Sequence, residues 1–271
     1  MTILVTGASG FIGSEFLNSF SLTKERIITV SKSSSVNRKD HFKIDLTNIE
    51  EVKNLIQSFD FKFIYHFAGY VSPDKNEKNK EKSYEINFKS VSNLIENIEQ
   101  KTNFIFTSTD KVYIDEEQSP HERSKKQPIS YYGKMKLLAE DFIKNNTNNY
   151  TILRLPIVHS TGSHLSSSYI DKTIIDVKNK INVNVFNDVS RSFLLVSELS
   201  KVFERSYKKP FCGTFNVGSN CYSYYNRLKF MSNMLSLDMD LIHPVESKGI
   251  NPRIQCLSTN KIKQRIGLSF S

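Results

Sequence analysis

A tyrosine and a lysine four residues apart, Tyr132 and Lys136, are the side chains best placed to do chemistry. On a helix that spacing puts both on one face. A phenol with a pKa near ~10 is a poor acid or base at neutral pH. A neighbouring ammonium favours the phenolate and lowers that pKa, so the pair shuttles a proton. The other half of a redox reaction stands at the start of the chain. Gly7-Ala8-Ser9-Gly10-Phe11-Ile12-Gly13 follows an apolar, β-rich run over residues 2–6 and opens helical apolar spacing over 11–20. Strand, glycine turn and helix in that order form a dinucleotide cradle. The glycines let backbone approach a pyrophosphate, which sits on the helix N-terminus among outward-pointing N–H groups. Either motif alone is common by chance; both in one chain, in this order, are much rarer.

Alternating elements must position these groups. Strands are expected at 2–6, 26–30, 41–44, 62–68, 103–107 and 150–155, and helices at 11–20, 49–59, 84–100 and 129–145. Such alternation implies right-handed βαβ units, hence an α/β, doubly wound parallel-sheet Rossmann fold. After Pro156 the periodicity loosens, then returns as a helix at 197–207 and a strand at 214–218 that rejoins the sheet. The expected division is a dinucleotide-binding domain from 1–158 and 188–220, with a small C-terminal substrate-binding lobe from 159–187 and 221–271. Residues 72–83, rich in Lys, Glu and Asn, read as a mobile surface loop. The charged stretch 115–128 reads either as a flap over the cleft or as a plain solvated loop.

Composition narrows the classes. At 271 residues, 38% hydrophobic with 10 Gly and 7 Pro, the chain suits one large domain or a core with a smaller lobe. A net charge of +9 admits polyanionic ligands or a general Lys bias. The lysines are spread along the chain without an Arg–aromatic pattern, so no nucleic acid partner is expected. Three cysteines form no C-x-x-C pair and cannot all be bridged, and they read as reduced cytosolic thiols. Six histidines without an H-x-x-x-H spacing give no expectation of a metal. No apolar run nears the ~20 residues that span a membrane, and the first residues read as a strand, not a signal peptide. A cytoplasmic protein without a membrane partner is expected.

Further motifs carry a family resemblance: Asp45-Leu46-Thr47, His66-Phe67-Ala68-Gly69, Tyr84-x-x-Asn87, Ser108-Thr109-Asp110-x-Val112-Tyr113, Arg154-Leu155-Pro156, Arg191-Ser192-Phe193-Leu194-x-Val196 and Phe215-Asn216-Val217-Gly218. With the glycine loop and Tyr132-x-x-x-Lys136, they make the chain resemble the extended short-chain dehydrogenase/reductases over nearly its whole length. It is most similar to the dTDP-4-dehydrorhamnose reductase type of nucleotide-sugar enzyme. The resemblance implies a cofactor held by Gly7, Ser9, Gly10, Phe11, Ile12 and Gly13, with Asp45 and Leu46 at the adenine. Phe67, Ala68, Gly69, Thr107 and Leu155 would lie along it. Single residues keep plainer readings: a turn Asp for Asp45, core for Phe67, a packed strand residue for His66. Asn87 would support the active-site helix or a proton relay. Thr109 would polarise a substrate carbonyl, Tyr132 donate the proton, and Lys136 bind the nicotinamide ribose.

The end of the second strand bears on cofactor choice. NAD enzymes place Asp or Glu there for the ribose 2′-OH; this chain has Ser31-Lys32, with Arg38 nearby and no carboxylate before Asp40. NADPH is therefore expected over NADH, the alternative being NAD held without the acid. Asp110 is followed by Lys111, where 4,6-dehydratases carry a Glu and GDP-fucose-forming epimerase-reductases a Cys, so neither activity is expected. Asp110 and Lys111 stand near the substrate, Asp110 either touching it or backing the site. Arg191 and Arg253 would clamp its phosphates, though Arg253 reads equally well as a surface residue. Tyr131, His159, His164 and the 70–72 loop are further candidates for the sugar pocket. The function implied is an NADPH-dependent reductase of the 4-keto group of a nucleoside-diphosphate 4-keto-6-deoxysugar. The alternatives are a nucleotide-sugar epimerase with tightly bound NAD, and a non-catalytic, dinucleotide-binding regulatory subunit. A homodimer is compatible with all three.

Overall fold

Short β-branched and aromatic runs separated by Gly, Asn, Asp and Lys clusters form the strands, and amphipathic stretches between them form the helices. The structure, a computed structural model, describes residues 1–20, 24–32, 36–115, 117–161, 168–249 and 254–270. In chain order the elements begin with β1 (Thr2–Thr6), α1 (Phe11–Ser19), β2 (Arg26–Ser31), β3 (His41–Lys43), α2 (Ile49–Ser58) and β4 (Phe61–His66). Then come α3 (Pro73–Lys78), α4 (Lys80–Tyr84), a π-helical turn (Glu85–Lys89), α5 (Ser90–Ile95), β5 (Asn103–Thr109), a 3₁₀ turn (Asp110–Val112), α6 (Tyr131–Asn146) and β6 (Tyr150–Leu155). They continue with β7 (Ile157–His159), α7 (Tyr169–Lys178), β8 (Val183–Phe186), β9 (Ser190–Leu195), α8 (Val196–Lys208) and β10 (Gly213–Asn216). The last are β11 (Cys221–Ser223), α9 (Tyr224–Leu235), β12 (Ile242–Val245), β13 (Ile254–Gln255) and α10 (Asn260–Ile266).

The chain divides into two compact units, each of three segments. The first is residues 1–114, 126–154 and 200–215. Its sheet runs β10-β6-β5-β4-β1-β2-β3, and β1 pairs in parallel with both β2 and β4. Strand order reverses at β1 and β4, and in such a fold ligands bind outside the carboxyl ends of the strands at that switch. Both faces are covered, as parallel strands require. Leu4, Ile28, Ile64, Phe104 and Ile152 join Val52, Leu94, Ala139 and Ile143 of α2, α5 and α6 in one core. On the opposite face Phe16 of α1, Tyr65, Phe67 and Phe203 of α8 pack ring against ring. This is a doubly wound Rossmann fold.

The second unit comprises residues 115–125, 155–199 and 216–271. β11 and β13 flank β9, which also pairs with β7, and β12 pairs with β8. Its core gathers Ile170, Ile174, Phe193, Leu228, Met231 and Ile242.

Several expectations are corrected. Residues 72–83 form helices: Pro73 opens α3, and the Asn79 side chain caps α4 by accepting from Lys82 N at 2.9 Å. The long helix over 84–100 is interrupted by the π turn, which swings Asn87 inward, and α5 ends at Ile95. Residues 188–220 do not all belong with the dinucleotide unit, because β9 builds the second unit's sheet and only 200–215 falls in the first. Residues 115–125 belong to the second unit and are no plain solvated loop. Gln118 and Pro120 carbonyls accept from Cys256 N and Ser258 N, and Glu122 accepts from Asn216 N. Two cysteines are not free thiols: Cys221 and Cys256, 35 residues apart, form a disulfide with Cα atoms 5.4 Å apart. Sequence spacing hid this pair, since β9 brings them together. Cys221 registers opposite Ser192, and Cys256 follows the Gln255–Arg191 pair. No described helix is long and apolar enough to cross a membrane.

Candidate active site

Where β1 ends, Gly7 adopts φ +63°, and a Cβ there would lie 2.5 Å from Ala68 N and 2.7 Å from the Phe67 carbonyl carbon. Only glycine lets the turn pass this close to the end of β4. Gly10 N donates to Gly7 O at 2.9 Å, and Gly10 starts α1 without any side-chain cap. No acidic residue sits in that first turn, so the N–H groups of Phe11, Ile12 and Gly13 and the positive end of the helix dipole stay open to an anion. Ser9 and Gly10 are exposed.

At the end of β2, Ser31 Oγ lies 3.3 Å from His41 Nε2, and Lys32 Nζ pairs with Asp45 at 2.5 Å. Partial burial alone would raise the Asp45 carboxyl. Hydrogen bonds from Lys32 and Thr47 nonetheless hold it below the usual carboxylate range. Asp40 is taken at the other end of β2, where Arg26 grips both its oxygens at 2.9 and 3.2 Å. Leu46 is buried, half-buried Phe67 packs against the Phe203 ring, and the Thr107 hydroxyl donates to His66 O at 3.2 Å. Leu155, buried, ends β6. Asn87 is tied into the backbone next to Gly69. Its amide donates to Tyr70 O and Asn76 Oδ1 and accepts from Tyr70 N, which fixes the backbone just after Gly69.

The candidate reacting groups meet where β5 ends and α6 begins. Side chains alternate along a strand, so the neighbours Ser108 and Thr109 face opposite ways. Thr109 Oγ1 lies beside the Tyr132 phenol and donates to Asp110 Oδ1 at 3.2 Å. The approach of α6 depends on Gly133, where a Cβ would fall 2.3 Å from Lys111 O. Ser130 Oγ caps the helix, accepting from Gly133 N at 3.1 Å. One turn on, Lys136 is 4% exposed, with Nζ 4.0 Å from the Phe106 ring centre and no hydrogen-bond acceptor among the described residues.

The electrostatics differ from the expectation that Lys136 lowers the phenol. Burial, with Asp110 nearby, pushes the Tyr132 phenol well above its ordinary value, against a smaller lowering by the Thr109 hydrogen bond. Burial also pushes the Lys136 ammonium down to about 7, opposed by Glu140. Desolvation outweighs the mutual attraction of the pair. His66 stays a neutral strand residue, pushed down to about 3 by burial and by Lys136, with Nδ1 bonded to Thr6 Oγ1 at 3.0 Å.

Two positions escaped the sequence reading. Gly133 shapes the helix approach, and Glu140 lies one turn beyond Lys136, fully buried. Its Oε1 accepts from Ser108 Oγ at 2.6 Å and Arg154 Nε at 2.9 Å, its Oε2 from Arg154 Nη2 at 2.5 Å and Lys144 Nζ at 3.2 Å. Arg154 also donates to Tyr113 Oη at 2.7 Å. The signal was a carboxylate four residues after Lys136, on the same buried helix face, which needs a cation nearby.

Of the substrate candidates, Asp110 is buried and Lys111 half-buried beside Thr109, Lys111 N donating to Thr109 Oγ1 at 3.3 Å. Tyr131 opens α6, its N–H donating to Glu77 Oε1 at 2.5 Å. Arg191 lies in the second unit, 7% exposed, with Nη1 donating to Ser190 O at 2.8 Å. His159 is fully buried there and bonded through Nε2 to Arg227. Arg253 and His164 lie outside the described residues.

The whole chain superposes on the dTDP-4-dehydrorhamnose reductase of Bacillus anthracis str. Ames in complex with NADP with a TM-score of 0.86. The two are 21% identical, and the match covers 99% of this chain and 94% of that one. Among curated proteins it is similar to methionine adenosyltransferase 2 subunit beta of Xenopus tropicalis, 25% identical over 96% of this chain and 81% of that protein. It is also similar to the spore coat polysaccharide biosynthesis protein SpsK of Bacillus subtilis (strain 168), 24% identical over 80% and 73%. The RmlD substrate binding domain model matches residues 1–269, and the chain therefore belongs to that family, within the extended short-chain dehydrogenase/reductases.

Proposed function

We propose that the protein is an NADPH-dependent reductase that turns the 4-keto group of a nucleoside-diphosphate 4-keto-6-deoxysugar into a hydroxyl. The observation that carries this reading is the buried Tyr132 phenol beside Thr109, one helical turn before a buried lysine that has no hydrogen-bond acceptor among the described residues. A dinucleotide fits the residues present. The uncapped start of α1 suits its pyrophosphate, and glycine at position 7 lets the turn that presents this helix end pack against the end of β4. Ser31 and Lys32 suit a 2′-phosphate: the first carboxylate after β2, Asp40, is held by Arg26 at the far end of the strand, and Asp45 is neutralised by Lys32.

NADPH bound there supplies the hydride. The chain's own groups do the rest. Thr109 donates a hydrogen bond to the keto oxygen, and Tyr132 gives that oxygen a proton as negative charge grows on it. A phenol pushed up by burial keeps its proton until then, which suits reduction. Lys136 donates to ribose hydroxyls and steadies the phenolate that Tyr132 leaves behind. Asp110 and Lys111 face the sugar, and Arg191 is assigned to the diphosphate.

The test is NADPH oxidation by purified protein across a panel of 4-keto sugar nucleotides, with turnover expected for at least one. Protein that oxidises none, yet purifies with bound NAD, favours the epimerase. The similarity to a methionine adenosyltransferase subunit favours a second reading, a non-catalytic partner subunit. A chain of that kind needs neither phenol nor ammonium, whereas here Thr109, Tyr132 and Lys136 are all present. Dinucleotide binding without turnover of any substrate would select that reading.

A further inference from the structure

We propose that Glu140 is a positioning residue of this site, setting the rotation of α6 that brings Tyr132 to Thr109 and placing a negative charge one helical turn from Lys136. The proposal rests on the reductase reading for its consequence, though not for its geometry. Tyr132, Lys136 and Glu140 recur every four residues along one face of α6. The lowest of the three is tied to two different strands: Ser108 on β5 donates to it, and Arg154 on β6 grips both its oxygens. Arg154 is anchored in turn by the Tyr113 hydroxyl and by that ring, 4.9 Å from the guanidinium. A helix held at one end by Gly133 against Lys111, and two turns later by a carboxylate between two strands, cannot roll. Ser108 and Thr109 therefore divide the work, one hydroxyl locking the helix and the next meeting the phenol.

The charged and titratable groups around Lys136 come from several elements. Glu140 stands one turn on along α6, Tyr132, itself beside Asp110, one turn back, and His66 faces Lys136 from β4; Arg154 of β6, Lys144 and Lys126 surround Glu140 in turn. Glu140 is the one among them that raises the Lys136 pKa. A merely structural Glu140–Arg154 pair would hold β6 without touching that titration, and its replacement by apolar residues would be silent there.

The test titrates the Lys136 side-chain ¹³Cε signal by NMR in lysine-labelled protein, assigned by its loss in Lys136→Met. It uses no cofactor or substrate, so it stands apart from the fate of the functional reading. In Glu140→Gln the Lys136 midpoint is expected to fall by ~1–2 pH units. That variant leaves Arg154 buried and uncompensated, so Arg154→Met alone, which keeps the carboxylate and removes the cation, is titrated beside it, with the Lys136 midpoint expected not to fall. A folded Glu140→Gln variant whose Lys136 midpoint equals that of the parent, or an Arg154→Met midpoint that falls as far as that of Glu140→Gln, overturns the electrostatic role. Ser108→Ala tests the rotation, because it removes one hydroxyl and no charge. Its kcat should fall several-fold with the Lys136 midpoint and NADPH affinity unmoved, and an unchanged kcat overturns that half.

Discussion

Lys136 meets the Phe106 ring at 4.0 Å where water once solvated it, and an aromatic face replaces only part of that hydration. Its ammonium is thereby pushed down to about 7, first by burial, against Glu140. The unfolded chain titrates near ~10.4. Between about pH 7 and ~10 the unfolded state therefore holds the extra proton, and this group's contribution to stability rises with pH; below about pH 7 the full cost of a buried charge stands. Lys136→Met should raise the melting temperature below pH 7, with ~2–4 kcal/mol of stabilisation that shrinks as pH climbs. Melts across pH check this, and turnover should be lost in the same protein. Tyr132→Phe keeps the ring and removes the donor. Its kcat should fall ~10²–10⁴-fold at saturating substrate while NADPH affinity, read by fluorescence titration, barely moves. Turnover left intact would mean another group donates the proton.

At the scale of elements, the decisive contact is α6 on the turn after β5. A methyl at Gly133 would sit 2.3 Å from Lys111 O, a backbone atom that cannot swing aside. Gly133→Ala should cost ~1–3 kcal/mol in urea unfolding and lower kcat more than NADPH affinity, since only the Tyr132 end of the site is displaced. Equal losses in both would show that the helix shift reaches the cradle. How much of this was legible depends on range along the chain. The glycine turn and the Tyr132–Lys136 face are local patterns, and both could be read directly. Residues 72–83 misled because charge suggested a solvated loop, while Asn76 is wholly buried, donating to the Tyr70 and Ser72 carbonyls. The π turn leaves no periodic signature. Glu140 and Arg154 stand on a helix and a strand, and nothing in either segment alone names the other. The depressed Lys136 pKa was out of reach, because spacing reports who is adjacent and not how much water is excluded.

For the molecule as a whole, the Cys221–Cys256 link and the single exposed thiol, Cys212, give a simple chemical signature. Alkylation of the folded, unreduced protein should label Cys212 alone, and reduction should expose the other two, as mass spectrometry of peptides will show. Cys221→Ser should then cost roughly 2–4 kcal/mol, because the bridge closes a long loop in the unfolded chain. Three labelled cysteines without reductant would refute the pairing. The segmented path of the first unit has a consequence in time. β6 lies between β5 and β10 in the sheet, with Thr151 donating to the Phe211 carbonyl, yet residues 156–212 intervene before β10 exists. A ribosome adding ~5–20 residues per second leaves that edge bare for roughly 3–11 s. A nascent or prematurely terminated chain thus displays an open β-edge that a second copy, or a chaperone, can occupy before its own strand arrives.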